Sequence, residues 1–561
     1  MTLGPLTCDR DSRIQMLNPN MLPNISSLTI SQLIAQLIVV RTTGYLFDQQ
    51  LQYPQWEADR SKLRHLVETV GVGGVIFLGA SAAEMALKTT QLQAWSSIPL
   101  LMCADVEEGV GQRFSGATVF PPPMALGSIA LENLTYAVEL ARQMGSVIAQ
   151  ESRAIGLNWI LAPIVDVNNN PKNPVINIRA FGEDPAIVTA LTTAFIQGAQ
   201  HHPVLTCAKH FPGHGDTDLD SHLELPRIDH DLARLTAVEF PPFQAAIAAG
   251  VASVMTAHLD VPAIDANEIT TFSHAVNTEW LRDRWGFEGL IVTDALVMGA
   301  IVDRYGNGEV AVKAIEAGAD VLMMPVDAIE AIAAIQAAVE SGRLTRDRLE
   351  ASVTRIFDAK RRVCTVSSDV NHVTQELLTN SIALPEFLDC ATEIIRNSMK
   401  VHHPARSRLT EEKWQKNRQS LILVDDFLNC PFLTRTSPAL VQCRSQGYST
   451  QIIEANTDLF LTSSWRSTLL QVFVRGNPLR SNAKFIDRIG QWLEFLQRSD
   501  QLQAVIFYGS PYVASRFLPT LIETVPSVFT YGQTVEAQAI AVGALFQEVN
   551  AEQTGSEGMF A

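Results

Sequence analysis

Residues 204–222 read Val204-Leu205-Thr206-Cys207-Ala208-Lys209-His210-Phe211-Pro212-Gly213-His214-Gly215-Asp216-Thr217-Asp218-Leu219-Asp220-Ser221-His222. The short apolar run 204–207 has the length and composition of a buried parallel strand. Pro212, Gly213 and Gly215 then mark a loop. Three His, three Asp and one Lys fall within the 14 residues from Lys209 to His222. Each titratable group that is buried needs a partner, so this density just past a strand points to chemistry rather than to loop architecture. Within it, His214 between two glycines also suits a loop-bracing hydrogen bond. Asp216 and Asp218 read as turn-forming or solvated.

Working outward, the same juxtaposition recurs. Strand-like runs are expected at 36–42, 74–78, 100–104, 157–161, 204–207, 253–257, 290–293 and 321–323, alternating with amphipathic helical stretches from about Ser26 onward. Asp105 follows the third run and Asp166 lies shortly beyond the fourth. Lys209 and His210 follow the fifth, His258 the sixth and Asp294 the seventh. An open doubly wound sheet would concentrate such groups at one switch point. A (β/α)₈ barrel gathers all eight strand exits around one pocket, and the barrel is the expectation. Helical periodicity at 133–155 and 232–249 fits its outer ring. A closing helix is expected over 344–363, with Thr345 as N-cap and Asp347 in the first turn.

A second α/β pattern follows, with strand-like runs at 420–424, 451–454, 504–508 and 527–531. It has no dense titratable cluster and reads as structural or assembly-related, at most contributing a pocket wall. The expected organisation is an N-terminal extension over 1–25, a TIM-type barrel over 26–363, a linker with its own helix over 364–398, a smaller C-terminal α/β sandwich over 399–553 and a tail over 554–561.

The bulk numbers agree. At 561 residues, two domains are the natural expectation. A composition 47% hydrophobic and 18% charged is that of a globular enzyme. The net charge of −17 argues against nucleic acid or an anionic membrane as partner. Seven cysteines without CxxC spacing suggest free thiols in a reducing compartment. With no apolar stretch of secretory or membrane-spanning length, no signal peptide and no span are expected, and the cytoplasm is the default location.

The segment Lys209–His222 resembles the signature of glycoside hydrolase family 3, in the branch of bacterial β-N-acetylglucosaminidases. Other segments are similar in the family's order. They are Asp105-Val106-Glu107-Glu108-Gly109 with Gln112-Arg113-Phe114, Ala162-Pro163 through Asp166 and Asn168, Arg179-Ala180-Phe181-Gly182-Glu183-Asp184-Pro185, Ser253–His258, and Gly286 through Asp294 to Ala300. The resemblance covers about residues 26–360 and is looser beyond. It implies Asp294 as a nucleophile that forms a covalent glycosyl-enzyme, and His222, held by Asp220, as acid/base. It implies Asp105, Arg113, Arg179, Lys209 and His210 as the groups binding the sugar. Two positions depart from relatives: Val110-Gly111 replaces an arginine-containing step, and Ala295 follows the nucleophile where many have a second acid.

The chemistry is coherent on its own terms. Retaining glycoside cleavage needs a carboxylate on one face and a proton donor on the other. A histidine, with an ordinary pKa of about 6.5, donates near neutrality without the tuning a carboxylic acid needs. Asp220, two residues earlier, is placed to fix the ring's tautomer, as the aspartate of a catalytic triad does. Asp294 at a strand end also suits an N-cap, and Arg113 and Arg179 also suit loop-bracing ion pairs. The expected reaction is hydrolysis of terminal nonreducing N-acetyl-β-D-glucosamine without cofactor or metal, from muropeptides or other small carbohydrates, with oligomeric state open. The alternatives are a β-glucosidase or β-xylosidase of the same family and a zinc-dependent amidohydrolase-like barrel built on His210, His214, Asp216, Asp220, His222 and His258.

Overall fold

The computed structural model describes residues 15–16, 22–51, 53–54, 56–219, 225–366, 378, 380–404, 408–409, 411–428, 430–457, 465–475, 483–521 and 524–547. Eight parallel strands build the N-terminal part: β1 Ile38–Thr42, β2 Gly74–Phe77, β3 Leu101–Ala104, β4 Trp159–Ile160, β5 Cys207–Phe211, β6 Ser253–Thr256, β7 Leu290–Thr293 and β8 Leu322–Met323. Ladders run β8-β1-β2-β3-β4 and β7-β6-β5. Two parallel bridges close the ring, Trp159 with Leu205 ahead of β5 and Val292 with Val321 ahead of β8. The result is the expected barrel, its strands largely apolar because helices cover the outside and side chains fill the inside.

Its helices begin where local chemistry dictates. Leu134–Ala154 starts at Asn133, whose side chain accepts from the Tyr136 N–H. Arg346–Val363 starts at Thr345, which accepts from the Arg348 N–H. The single helix expected over 232–249 is instead two, Leu232–Ala237 and Phe240–Ala248. Pro241 and Pro242 bring no N–H to a continuing helix, and the second helix starts there.

Two further differences concern strands. The fifth lies at Cys207–Phe211, so Lys209 and His210 sit within it rather than beyond it. Charge at Lys209 hid this from a reading by hydrophobicity, since its ion pairs are what allow burial. In the C-terminal part, Ser467–Val474 is a fully buried strand absent from the expected set. Gln471 interrupts its apolar run, yet it is satisfied internally by the Ser420 hydroxyl, the Ala439 carbonyl and the Tyr508 hydroxyl.

The C-terminal strands are β9 Lys400–His402, β10 Arg418–Val424, β11 Ser449–Glu454, β12 Ser467–Val474, β13 Leu502–Gly509 and β14 Ser527–Thr530. Their order is β9-β14-β13-β12-β10-β11, with β9 antiparallel and the rest parallel. Alternate residues bury on opposite faces. Leu421, Leu470, Val472, Val505 and Phe507 join the large core that also holds barrel residues, while Ile422, Leu469, Ile506 and Tyr508 form a second core. This is an α/β sandwich. The helix Pro385–Ser398 leads into it. Among the described residues no helix is long and apolar enough to cross a membrane, and six cysteines are free thiols.

Candidate functional site

A cavity of about 210 Å³ opens at the C-terminal strand ends of the barrel, where all eight loops converge. Asp105, Arg113, Arg179, Lys209, His210 and Asp294 all line it. Ile76, Leu161, Val175, Met255, Met323 and Met324 supply apolar wall, the mix of apolar surface and few convergent polar groups that ligand sites favour. Asp220 and His222 lie outside the described residues.

At the centre is an ion network. The Lys209 ammonium, 1% exposed, lies 2.6 Å from Asp105 Oδ1 and 2.6 Å from Glu107 Oε1. Arg179 grips Glu107 with both arms of its fork, Nε and Nη2 each at 2.9 Å. Burial alone would raise the Glu107 carboxyl, but the Arg179 guanidinium and the Lys209 ammonium hold it well below the usual carboxylate range. Burial likewise disfavours charge on Lys209, and Asp105 and Glu107 overcome it, so its pKa is raised. Glu107, Lys209 and Arg179 therefore stay charged near neutrality. Arg113, exposed at the rim, donates from Nε to the Asp105 carbonyl at 3.2 Å. Both arginines thus brace loops and line the cavity at once.

Below His210 sits Asp166, fully buried. It accepts from the His210 backbone N–H at 3.1 and 3.2 Å, from His210 Nδ1 at 2.8 Å and from the His214 N–H at 2.7 Å. Burial would raise Asp166, but the imidazole of His210 and these donors lower it. An anionic acceptor at Nδ1 leaves Nε2 as the ring nitrogen available to a ligand. His214 has the bracing role: its Nδ1 is 2.9 Å from the Thr217 hydroxyl, and burial, with His210 adding to it, lowers its pKa to about 4. Asp216, half-buried, pairs with His230 at 2.7 Å. The peptide between Lys209 and His210 is cis.

Asp294 follows β7 directly. Its backbone N–H reaches the Thr256 carbonyl at 3.0 Å, and its Oδ1 accepts from the Ala295 N–H at 2.7 Å. It does not cap a helix, since Gly299–Tyr305 begins after Met298. His258 is fully buried beneath, its Nδ1 2.6 Å from the Thr271 hydroxyl and its Nε2 3.1 Å from the Ala295 carbonyl. Those partners tie the sixth and seventh strand exits together. Among the described residues, no group of three or more His, Cys, Asp or Glu is arranged around a common metal position.

Two glycines are required by close backbone approach. A Cβ on Gly111 would lie 2.3 Å from the Ala117 carbonyl oxygen, so the third loop folds tightly only with glycine there. Gly215 is stricter, since a Cβ would lie 1.7 Å from the Val167 carbonyl oxygen and part the fourth and fifth loops.

Four participants escaped the sequence reading. Glu107, Glu108 and Asp166 lie in family-like segments but carry no role by sequence alone, although adjacent acids in a short strand-exit loop were a usable signal. Arg475 gave none. It follows β12 in the other domain, lines the cavity, and pairs with Glu108, 367 residues away in sequence.

Comparison with known proteins agrees with this architecture. The model of the glycosyl hydrolase family 3 N-terminal domain matches residues 29–359, and that of the bacterial glycosyl hydrolase family 3 C-terminal domain matches residues 411–547. The chain is 32% identical over 375 residues to beta-hexosaminidase A of Pseudoalteromonas piscicida, covering 60% of this chain and 62% of that protein. It is 31% identical over 315 residues to a beta-N-acetylglucosaminidase/beta-glucosidase of Cellulomonas fimi, covering 54% and 55%. It thus spans less than two thirds of the length of either relative. A solved family 3 beta-N-acetylglucosaminidase from Paenibacillus sp. str. FPU-7 superposes with a TM-score of 0.74 at 29% identity, over 92% of this chain and 96% of that one. With its barrel and its sandwich domain both matched in order, the chain belongs to glycosyl hydrolase family 3, in its two-domain form.

Proposed function

We propose that this chain is a retaining exo-β-N-acetylglucosaminidase that removes terminal nonreducing N-acetylglucosamine from small carbohydrates, peptidoglycan fragments foremost, in the cytoplasm. The observation that carries the reading is the meeting of Asp294 with Lys209, Asp105, Arg179 and His210 around one cavity. Asp294 attacks the anomeric carbon and forms a glycosyl-enzyme. His222, oriented by Asp220, protonates the departing oxygen and then deprotonates the attacking water, as retention requires. Lys209, Arg179, His210, Asp105 and Arg113 hold the hydroxyls and the acetamido group. The activities for which these relatives are named support the N-acetyl sugar, and the six free thiols among the described residues suit a reducing compartment.

A second reading is β-glucoside hydrolysis at the same site, favoured by the dual name of the Cellulomonas fimi relative. Rates on a matched pair, an aryl β-N-acetylglucosaminide and the aryl β-glucoside, decide between them. Preference for the N-acetyl sugar, unchanged by EDTA, is expected. Preference for the glucoside would establish the second reading, and loss with EDTA that zinc restores would overturn both in favour of a metal site. Anomer analysis by NMR of the first-formed product is expected to show retention.

A further inference from the structure

We propose that Arg475, supplied by the C-terminal domain, is a substrate-binding residue whose guanidinium donates to an uncharged oxygen of the glycosyl unit, with Glu108 as its positioning residue. This rests on the proposed glycosidase reading and adds a contact that the barrel itself does not supply.

Arg475 is placed from both sides. Its backbone follows Val474, the end of β12, whose carbonyl accepts from the Ser510 N–H at 2.7 Å. A Cβ on Gly509 would lie 2.1 Å from that same carbonyl oxygen, so β12 and β13 are locked together there. On the barrel side, the Glu108 N–H donates to Gln112 Oε1 at 2.9 Å and its carbonyl accepts from Phe120 at 2.8 Å. The Glu108 side chain is 3% exposed, and its carboxylate takes Arg475 Nη2.

The ion pair does not account for the residue by stability alone. Replacing a buried ion pair by apolar groups is often neutral or stabilising, so such a pair is weak evidence for a purely structural purpose. A guanidinium carries five N–H donors in a rigid fork. Glu108 engages one arm, and no other partner of this guanidinium is found among the described residues, while the side chain lines the cavity.

Charge identifies the kind of atom recognised. Arg113, Arg179, Lys209 and Arg475 face Asp105, Glu107 and Asp294 in the lining, with Glu108 behind Arg475 and Asp166 behind His210, so the cations are not in excess. A guanidinium already paired with a carboxylate in such a cavity suits a hydroxyl or amide carbonyl rather than a carboxylate or phosphate.

The test compares steady-state constants of R475A, E108Q and R475A/E108Q on both aryl glycosides, with melting curves to verify folding. A hydrogen bond from a charged donor predicts a rise in KM of about 10- to 100-fold for R475A. The double variant is decisive, because it removes the orphaned carboxylate as well. A persistent KM defect there supports substrate contact. Wild-type KM in the double variant would overturn the proposal and leave Arg475 a counter-ion for Glu108. Should R475A fail to fold, R475K keeps the charge and loses the fork, and wild-type KM in it would likewise overturn the contact. The proposed function is read separately, from which glycoside the wild-type enzyme prefers. If it cleaves neither, calorimetric binding of N-acetylglucosamine to the same variants replaces KM.

Discussion

Asp294 and Glu107 show how two carboxylates in one cavity take different parts. Glu107 is buried between Lys209 and Arg179, both arms of its carboxylate engaged by cations. Such a group is a poor nucleophile and a good scaffold. Asp294 is half-buried at a strand end and faces the cavity from a rigid position. Asp294→Ala is therefore expected to lower turnover by several orders of magnitude with little change in melting temperature, measured with an aryl N-acetylglucosaminide. For His222→Ala, a loss of ~10²–10⁴-fold is expected on substrates with poor leaving groups, and far less on activated aryl glycosides, which need little protonation. Equal losses on both substrate types would count against His222 as the acid.

At the scale of elements, the strand β5 and its loop carry a pH response. Native His214 remains neutral down to about pH 4, whereas the unfolded chain takes up that proton near the ordinary 6.5. The unfolded state thus binds more protons between these values, and stability falls as pH drops through this window. The expected loss is up to about 3 kcal/mol, with no contribution above pH 6.5. Denaturant titrations at pH 7 and pH 4.5 check it, since His214→Gln should flatten the difference. The fourth loop depends on the other domain. The Tyr512 hydroxyl donates to Glu183 Oε1 at 2.6 Å and accepts from Asn168 Nδ2 at 2.8 Å. Asn168 Oδ1 in turn holds the Asn177 N–H at 2.8 Å, and Asn177 begins the short turn carrying Arg179. Tyr512→Phe should cost about 1 kcal/mol of that positioning, read as a ~5-fold rise in KM with kcat nearly unchanged. A wild-type KM would show that the loop holds itself.

For the whole molecule, the consequence is that barrel and sandwich act as one unit. A single apolar core includes barrel residues such as Leu126 and Phe181 together with Phe387, Leu421, Leu470 and Phe507. Arg475 and Tyr512 add polar ties at the cavity. Calorimetric unfolding is therefore expected as one cooperative transition, and two resolved peaks would refute it. Much of this molecule was legible beforehand. Apolar runs and capping residues are local signals, so eight strands and helix starts at Asn133 and Thr345 followed from neighbours in sequence. The placement of Asp105, Lys209, His210 and Asp294 around one pocket followed too, because strand exits in a closed parallel barrel converge. What failed locally was polar burial: Lys209 inside β5 and Gln471 inside β12 look wrong for a strand until Asp105, Glu107, Ser420 and Tyr508 are brought beside them. The sequence by itself thus determined the barrel and the polar groups gathered at its strand ends, since periodicity and turn residues act over a few positions. Only the tertiary structure decided that Glu107 holds the cations, that Asp166 orients His210 and that Arg475 lines the cavity, because a charge is buried only where its partner arrives, and the partner arrives from elsewhere in the chain.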